Sequence, residues 1–177
     1  GSELFERARE LGRSIAFEAS VCGGIPIVTA IGQSLAANRI ESLCGILNGT
    51  SNYIMTRMTE AGIGYKEALA EAQQRGYAEA DPTLDVDGSD AAQKLAILVQ
   101  LSYRTDISWQ SIPCTGIEQL SLDDLQYTHQ MGYRIKLLGI AQLVDKGELV
   151  FDLFHHLGGG ALWPVPGAPL IHQHAQP

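Results

Sequence analysis

Five acidic side chains, Glu79, Asp81, Asp85, Asp87 and Asp90, fall in one short stretch that runs from Tyr77 to Lys94. Carboxylates this dense repel one another unless a cation, a ligand or solvent relieves them. Asp90 and Lys94 are four residues apart, acid first, which on a helix sets one above the other. A lysine held among carboxylates can carry a proton to or from a reacting oxygen. The same spacing also describes a surface ion pair worth about 0.5 kcal/mol, and the aspartates equally suit helix capping in a solvated turn. Spacing alone leaves both readings open.

Two other segments have loop chemistry. Asn48-Gly49-Thr50-Ser51-Asn52 ends an apolar run and opens a helical one, so its backbone N–H groups can receive a carboxylate or phosphate. A plain turn capped by Thr50 or Ser51 is the alternative. Glu18-Ala-Ser-Val21-Cys-Gly23-Gly24-Ile25 either presents carbonyl oxygens to a monovalent cation or forms a buried glycine turn. His155, His156, His172 and His174 have no spacing that fixes a tetrahedral metal site. Trp109 and Trp163 read as packing residues, and no Gly-x-Ser-x-Gly announces a nucleophile.

The elements that position these residues follow from periodicity and punctuation. Leu4, Phe5, Ala8 and Leu11 recur at helical spacing before Gly12. Ser14 to Ser20 alternates as a short strand, and Pro26 suits a first helical position. A second strand is predicted over Arg39 to Leu47, a helix through Tyr53 to Met58 closed by Gly62, and another over Tyr65 to Arg75 closed by Gly76. Gly76 to Gly88 reads as a loop, and Asp90 to Tyr103 as the strongest helix, with Ala91, Leu95, Leu98 and Val99 on one side. Leu122 to Met131 reads as a helix. Tyr133 to Leu143 and Glu148 to Phe154 pair as a hairpin about Asp145-Lys-Gly147. Together they predict an α+β (α/β layered) domain, its helices packed on one face of a mixed, mostly antiparallel sheet.

Composition narrows the class. The 177 residues are 45% hydrophobic and 18% charged, enough to build a packed core. A net charge of -8 without any basic stripe argues against nucleic acid as a partner. Cys22, Cys44 and Cys114 are few and far apart, which suits reduced thiols in a cytoplasmic protein rather than a disulfide framework. No signal peptide or membrane span is expected, because the longest apolar run, near Leu95 to Leu101, is too short.

Four segments, taken in order, resemble homoserine dehydrogenases: Phe17 to Ile27, Gly45 to Ile54, Gly76 to Leu95 and Gly132 to Ala141. The likeness runs from about residue 3 to residue 150, and the third segment is long and specific. The resemblance implies reversible oxidation of L-homoserine to L-aspartate 4-semialdehyde with NAD or NADP, in the biosynthesis of threonine, methionine and isoleucine. It implies that Lys94 relays the proton at the C4 oxygen and that Asp90 is its acidic partner. Glu79 would grip the substrate ammonium and Asp85 the hydroxyl end, while Tyr77, Gly49 and Thr50 would line the pocket. It further implies a monovalent cation such as sodium held by Glu18, Val21, Gly23 and Ile25, and a homodimer.

The sequence departs from that family in places. The Gly-x-Gly-x-x-Gly of a dinucleotide-binding fold does not occur, and Gly158-Gly-Gly160 lacks its spacing. Residues 1–154 are therefore expected to form the substrate-binding and dimerisation domain, 155–177 an irregular tail, and the N-terminal Rossmann domain to be missing. Such a chain would hold substrate weakly and turn over nothing by itself. Cys22 stands where a small residue is usual. Two other readings compete: a hydrolase or lyase whose Asp81, Asp85, Asp87 and Asp90 hold a divalent metal, and a non-catalytic dimerisation module with its Lys94 pocket closed.

Overall fold

The computed structural model describes residues 2–144 and 149–159. Helix α1 covers Ser2–Glu10, and Gly12 follows it at φ 62°. The segment predicted as a strand over Ser14 to Ser20 is instead extended chain ending in a 3-10 turn, Glu18–Ser20. Its alternation was misleading because among the described residues no strand pairs with it. Helix α2 (Ile27–Thr29) continues as a π-helical turn, Ala30–Ser34, and Pro26 sits one place earlier than expected, at the N-cap.

Strand β1 is only Ser42–Gly45, shorter than predicted. Helix α3 (Gly49–Ala61) follows and stops at Gly62, whose left-handed φ of 66° returns its N–H to the Met58 carbonyl. Helix α4 is Tyr65–Gln74. The predicted acidic loop holds one helical turn, α5 (Thr83–Val86), which a loop reading missed because a single turn carries no periodicity. Gly88, at φ 87°, then reverses the chain into α6 (Ser89–Tyr103), a conformation costly for any side chain. A capping box, in which Ser121 and Asp124 satisfy each other's backbone N–H, starts α7 (Leu122–Gln130).

Strands β2 (Tyr133–Leu143) and β3 (Leu149–Gly159) form the predicted hairpin. The sheet has the order β1-β2-β3 and is antiparallel throughout its described strands, with no mixed pairing. Strand β3 runs on to Gly159, so residues 155–159, His155 and His156 included, are strand rather than irregular tail. The remainder of that expected tail, with Trp163, His172 and His174, lies outside the described residues.

Alternate residues of β2, Ile135, Leu137 and Ala141, join a core filled by Ile54, Met55 and Met58 of α3 and Leu95, Leu98 and Val99 of α6. Helices packed against an antiparallel sheet are the α+β arrangement expected. Where β1 runs out, a side chain takes over its role: the buried Asn52 amide receives Leu137 N–H at 3.2 Å and donates to Leu137 O at 3.1 Å. It stands in for one strand residue and fastens the start of α3 to the sheet. Among the described residues no helix is long and apolar enough to cross a membrane.

Candidate active site

The start of α3 gathers the acidic segment around itself. Asn48 is the N-cap, its Oδ1 accepting Ser51 N–H at 2.8 Å, so the cap lies ahead of the predicted Thr50 or Ser51. Thr50 Oγ1 donates to Tyr77 O at 2.8 Å, and Ser51 Oγ donates to Asp85 O at 2.7 Å. Asn48 Nδ2 donates to Asp85 Oδ1 at 2.6 Å and to Asp90 Oδ2 at 2.9 Å. Two aspartates are thus drawn onto one buried amide.

The remaining acids divide by role. Asp87 Oδ1 accepts the first N–H of α6, that of Ser89, at 2.7 Å from one residue ahead of the Gly88 N-cap. Asp81 Oδ1 accepts Thr83 N–H at 3.1 Å and the Thr83 hydroxyl at 2.6 Å, which holds its carboxyl below the ordinary range and starts α5. Both are engaged by backbone N–H groups at the starts of α5 and α6. Glu79 is exposed and is not among the side chains that line the cavity described next.

That cavity, of about 430 Å³, is lined by Asn48, Gly49, Thr50, Tyr53, Tyr77, Asp85, Asp90 and Lys94. Its volume lies within the roughly 300–1,000 Å³ of small-molecule pockets. Lys94 Nζ meets Asp90 Oδ2 at 2.6 Å, with the two side chains 27% and 28% exposed. The pair therefore faces a shielded pocket and is not an ordinary surface bridge. Gly49 and Thr50, in the first turn of α3, have N–H groups that no helical carbonyl can reach, and the helix dipole adds to their attraction for an anion.

Tyr53 was not foreseen from the sequence, where it read as one more helical position. Its ring packs on Tyr77 at 4.7 Å between centroids, and its hydroxyl donates to Glu71 at 3.4 Å. Glu71 also binds Arg57 Nε at 2.9 Å, which ties α3 to α4, and Arg75 Nη2 at 2.6 Å at the end of α4, and these pairs steady the aromatic wall from behind. On the opposite flank, the 112–117 segment braces the acidic turn. Ile117 N–H donates to Val86 O at 2.8 Å. Gly116 lies so close that a Cβ there would collide with that carbonyl and sit 2.7 Å from Asp87 Cα.

The Glu18 turn carries Cys22, which feels the charge of Lys94, although burial dominates and pushes its thiol up. Glu18 receives Val28 N–H at 2.8 Å and Thr29 N–H at 2.9 Å, and the Thr29 hydroxyl is the main reason its carboxyl is held below the ordinary range. Cys22 (φ 51°) and Gly24 (φ 87°) both adopt left-handed backbone, and the turn closes with Ile25 N–H on Cys22 O at 2.9 Å. Among the described residues, no three His, Cys, Asp or Glu side chains are grouped to hold a metal ion. The divalent-metal reading fails on this point, since Asp81 and Asp87 accept the N–H groups of Thr83 and Ser89 instead of joining Asp85 and Asp90.

The homoserine dehydrogenase family model matches residues 26–157. A homoserine dehydrogenase of Pseudomonas aeruginosa is 48% identical over 156 residues, covering 88% of this chain and 35% of the relative. One from Synechocystis is 50% identical over 141 residues, 80% of this chain and 33% of the relative. The crystal structure of a homoserine dehydrogenase from Thiobacillus denitrificans superposes with a TM-score of 0.82 at 44% identity, over 88% of this chain and 36% of that one. The chain thus spans about a third of the length of the curated relatives it matches. The acidic turn, the Asn-Gly-Thr corner and the lysine all lie inside the matched region, and the chain belongs to the homoserine dehydrogenase family.

Proposed function

We infer that this domain binds L-homoserine or L-aspartate 4-semialdehyde and moves the proton at the C4 oxygen during NAD- or NADP-dependent interconversion of the two. One observation carries the reading: the Lys94–Asp90 pair faces a cavity whose other wall is the Asn48-Gly49-Thr50 corner. Such a pair suits the proton half of a hydride transfer. Bound NAD(P) would supply the hydride chemistry, and the described residues carry no dinucleotide-binding motif.

In the oxidising direction, loss of hydride from C4 leaves that carbon electron-poor, so removing the hydroxyl proton in concert lowers the barrier. Lys94 takes that proton, and Asp90, hydrogen-bonded to Nζ, steadies the charge it acquires. In the reverse direction the Lys94 ammonium polarises the aldehyde oxygen and protonates the forming alkoxide. Asp85 orients the hydroxyl end. The free N–H groups of Gly49 and Thr50 receive the substrate carboxylate, and Tyr77 closes over it. Glu79 is assigned to the substrate ammonium on the strength of the family pattern, which requires its side chain to turn inward from the rim.

A monovalent cation such as sodium belongs to the same reading, at Glu18 with the carbonyls of Val21, Gly23 and Ile25. Hard oxygen donors suit such an ion, and a cation there would stiffen the turn against the Lys94 flank. Pairing of two copies through the strands from Tyr133 onward is likewise part of the reading. The test is Lys94→Ala in the full-length protein. General acid–base catalysis is worth about 10²–10⁴-fold, and kcat is expected to fall by that range. Activity within about threefold of the parent would reject the assigned relay.

A further inference from the structure

We propose that Asn48 is a positioning residue of the proton relay, its one side-chain amide holding Asp85 and Asp90 at a fixed spacing and choosing which oxygen of each faces the cavity. The inference rests on the function proposed above. Asn48 is 2% exposed, and both its amide hydrogens are engaged: Nδ2 gives one N–H to Asp85 Oδ1 and one to Asp90 Oδ2, while Oδ1 takes Ser51 N–H. Chemistry dictates this orientation. A flipped amide would set its oxygen against two carboxylates and its NH2 against a donor.

Two consequences follow for the reacting groups. Asp85 is held by Oδ1, which leaves Oδ2 for a substrate hydroxyl. Asp90 Oδ2 accepts both Asn48 and Lys94, so the amide fixes the carboxylate that in turn aims the ammonium. Without the bridging NH2, the two carboxylates repel and Lys94 alone must satisfy both. Asn48 has no side-chain donor left for substrate, so it acts through Asp85 and Asp90 and leaves binding largely to others.

The test separates this role from the helix cap. Asn48→Ser keeps a capping oxygen but cannot reach the carboxylates, and Asn48→Asp keeps cap and shape but replaces the donor with a third acceptor. In the full-length dehydrogenase both should lower kcat by about 10- to 100-fold, as expected for misplacement of a catalytic group. KM for homoserine should change by less than about threefold, and the solvent deuterium isotope effect on kcat should rise as proton transfer becomes slower. Circular dichroism at the assay temperature confirms that the variants are folded, and if one is not, the other decides. Parental kcat, or a loss with no change in the isotope effect, overturns the proposal. Lys94→Ala run alongside distinguishes the two failures: if it too keeps activity, the proton relay itself is wrong, whereas if only the Asn48 variants keep it, the positioning role alone falls.

Discussion

Replacing Asn52 with leucine strips the sheet of the side chain that completes it. In the native chain the Leu137 N–H and C=O, on a residue only 1% exposed, both bond the Asn52 amide. Leucine offers neither donor nor acceptor, and neither orphan can reach water. Each buried unsatisfied group costs about 1–3 kcal/mol, and the extra apolar burial of leucine offsets part of this, so a net loss of roughly 2–4 kcal/mol is expected. Against a typical stability of about 5–15 kcal/mol this is a large fraction. Urea unfolding followed by circular dichroism should show it as a midpoint lowered by about 1–2 M, given m-values of about 1–3 kcal/mol/M. Amide exchange at Leu137 should accelerate beyond the global change. A midpoint within about 0.2 M of the parent, with Leu137 still protected, would refute the claim that this amide substitutes for a strand.

Gly116→Ala places a Cβ against the Val86 carbonyl and Asp87 Cα, so the acidic turn must shift; overpacking of this kind costs about 1–3 kcal/mol, and an unchanged melting temperature would show that the turn yields freely. Arg57, outweighing desolvation, holds the Glu71 carboxyl below its ordinary 4.5, so the stabilisation is complete above that value and disappears as pH falls through the lower folded one. Glu71→Gln should therefore flatten the loss of stability on acidification below pH 4.5, and an identical acid limb in urea titrations would contradict the ion-pair account. Glu79→Gln should raise KM for homoserine about tenfold or more with kcat held, the equivalent of one charge-assisted hydrogen bond; an unchanged KM would assign the ammonium to Asp85 instead.

The site was legible in the sequence where chemistry is local and obscure where it depends on contacts across elements. Asp90 and Lys94 lie on one helix, so their pairing follows from spacing, and the length and pattern of α6 follow from its apolar side. Gly62 and Gly76 mark helix ends because their left-handed backbone favours glycine. The cap of α3 was available in principle, since asparagine is among the best N-cap residues, but the hydroxyls of Thr50 and Ser51 competed for it and instead bind Tyr77 and Asp85. No local pattern distinguishes Asn48 as the bridge between two acids that lie 37 and 42 residues away. Likewise Ser14 to Ser20 had the alternation of a strand without the neighbour that makes one, and Gly116 gives no sign of its approach to the Val86 carbonyl.

The tethers on the first turn of α3 also determine where this domain can accept extra length. Tyr77 is held through its carbonyl, and Asp85 through both its carbonyl and its carboxylate. Residues inserted around Ala80, between those anchors, would give up only the exposed Gln73 bonds to the Glu79 and Ala80 carbonyls and leave Asp85 and Asp90 in register. Even one residue added between Asp85 and Asp90 would rotate the second carboxylate off the shared amide and carry Lys94 round with it.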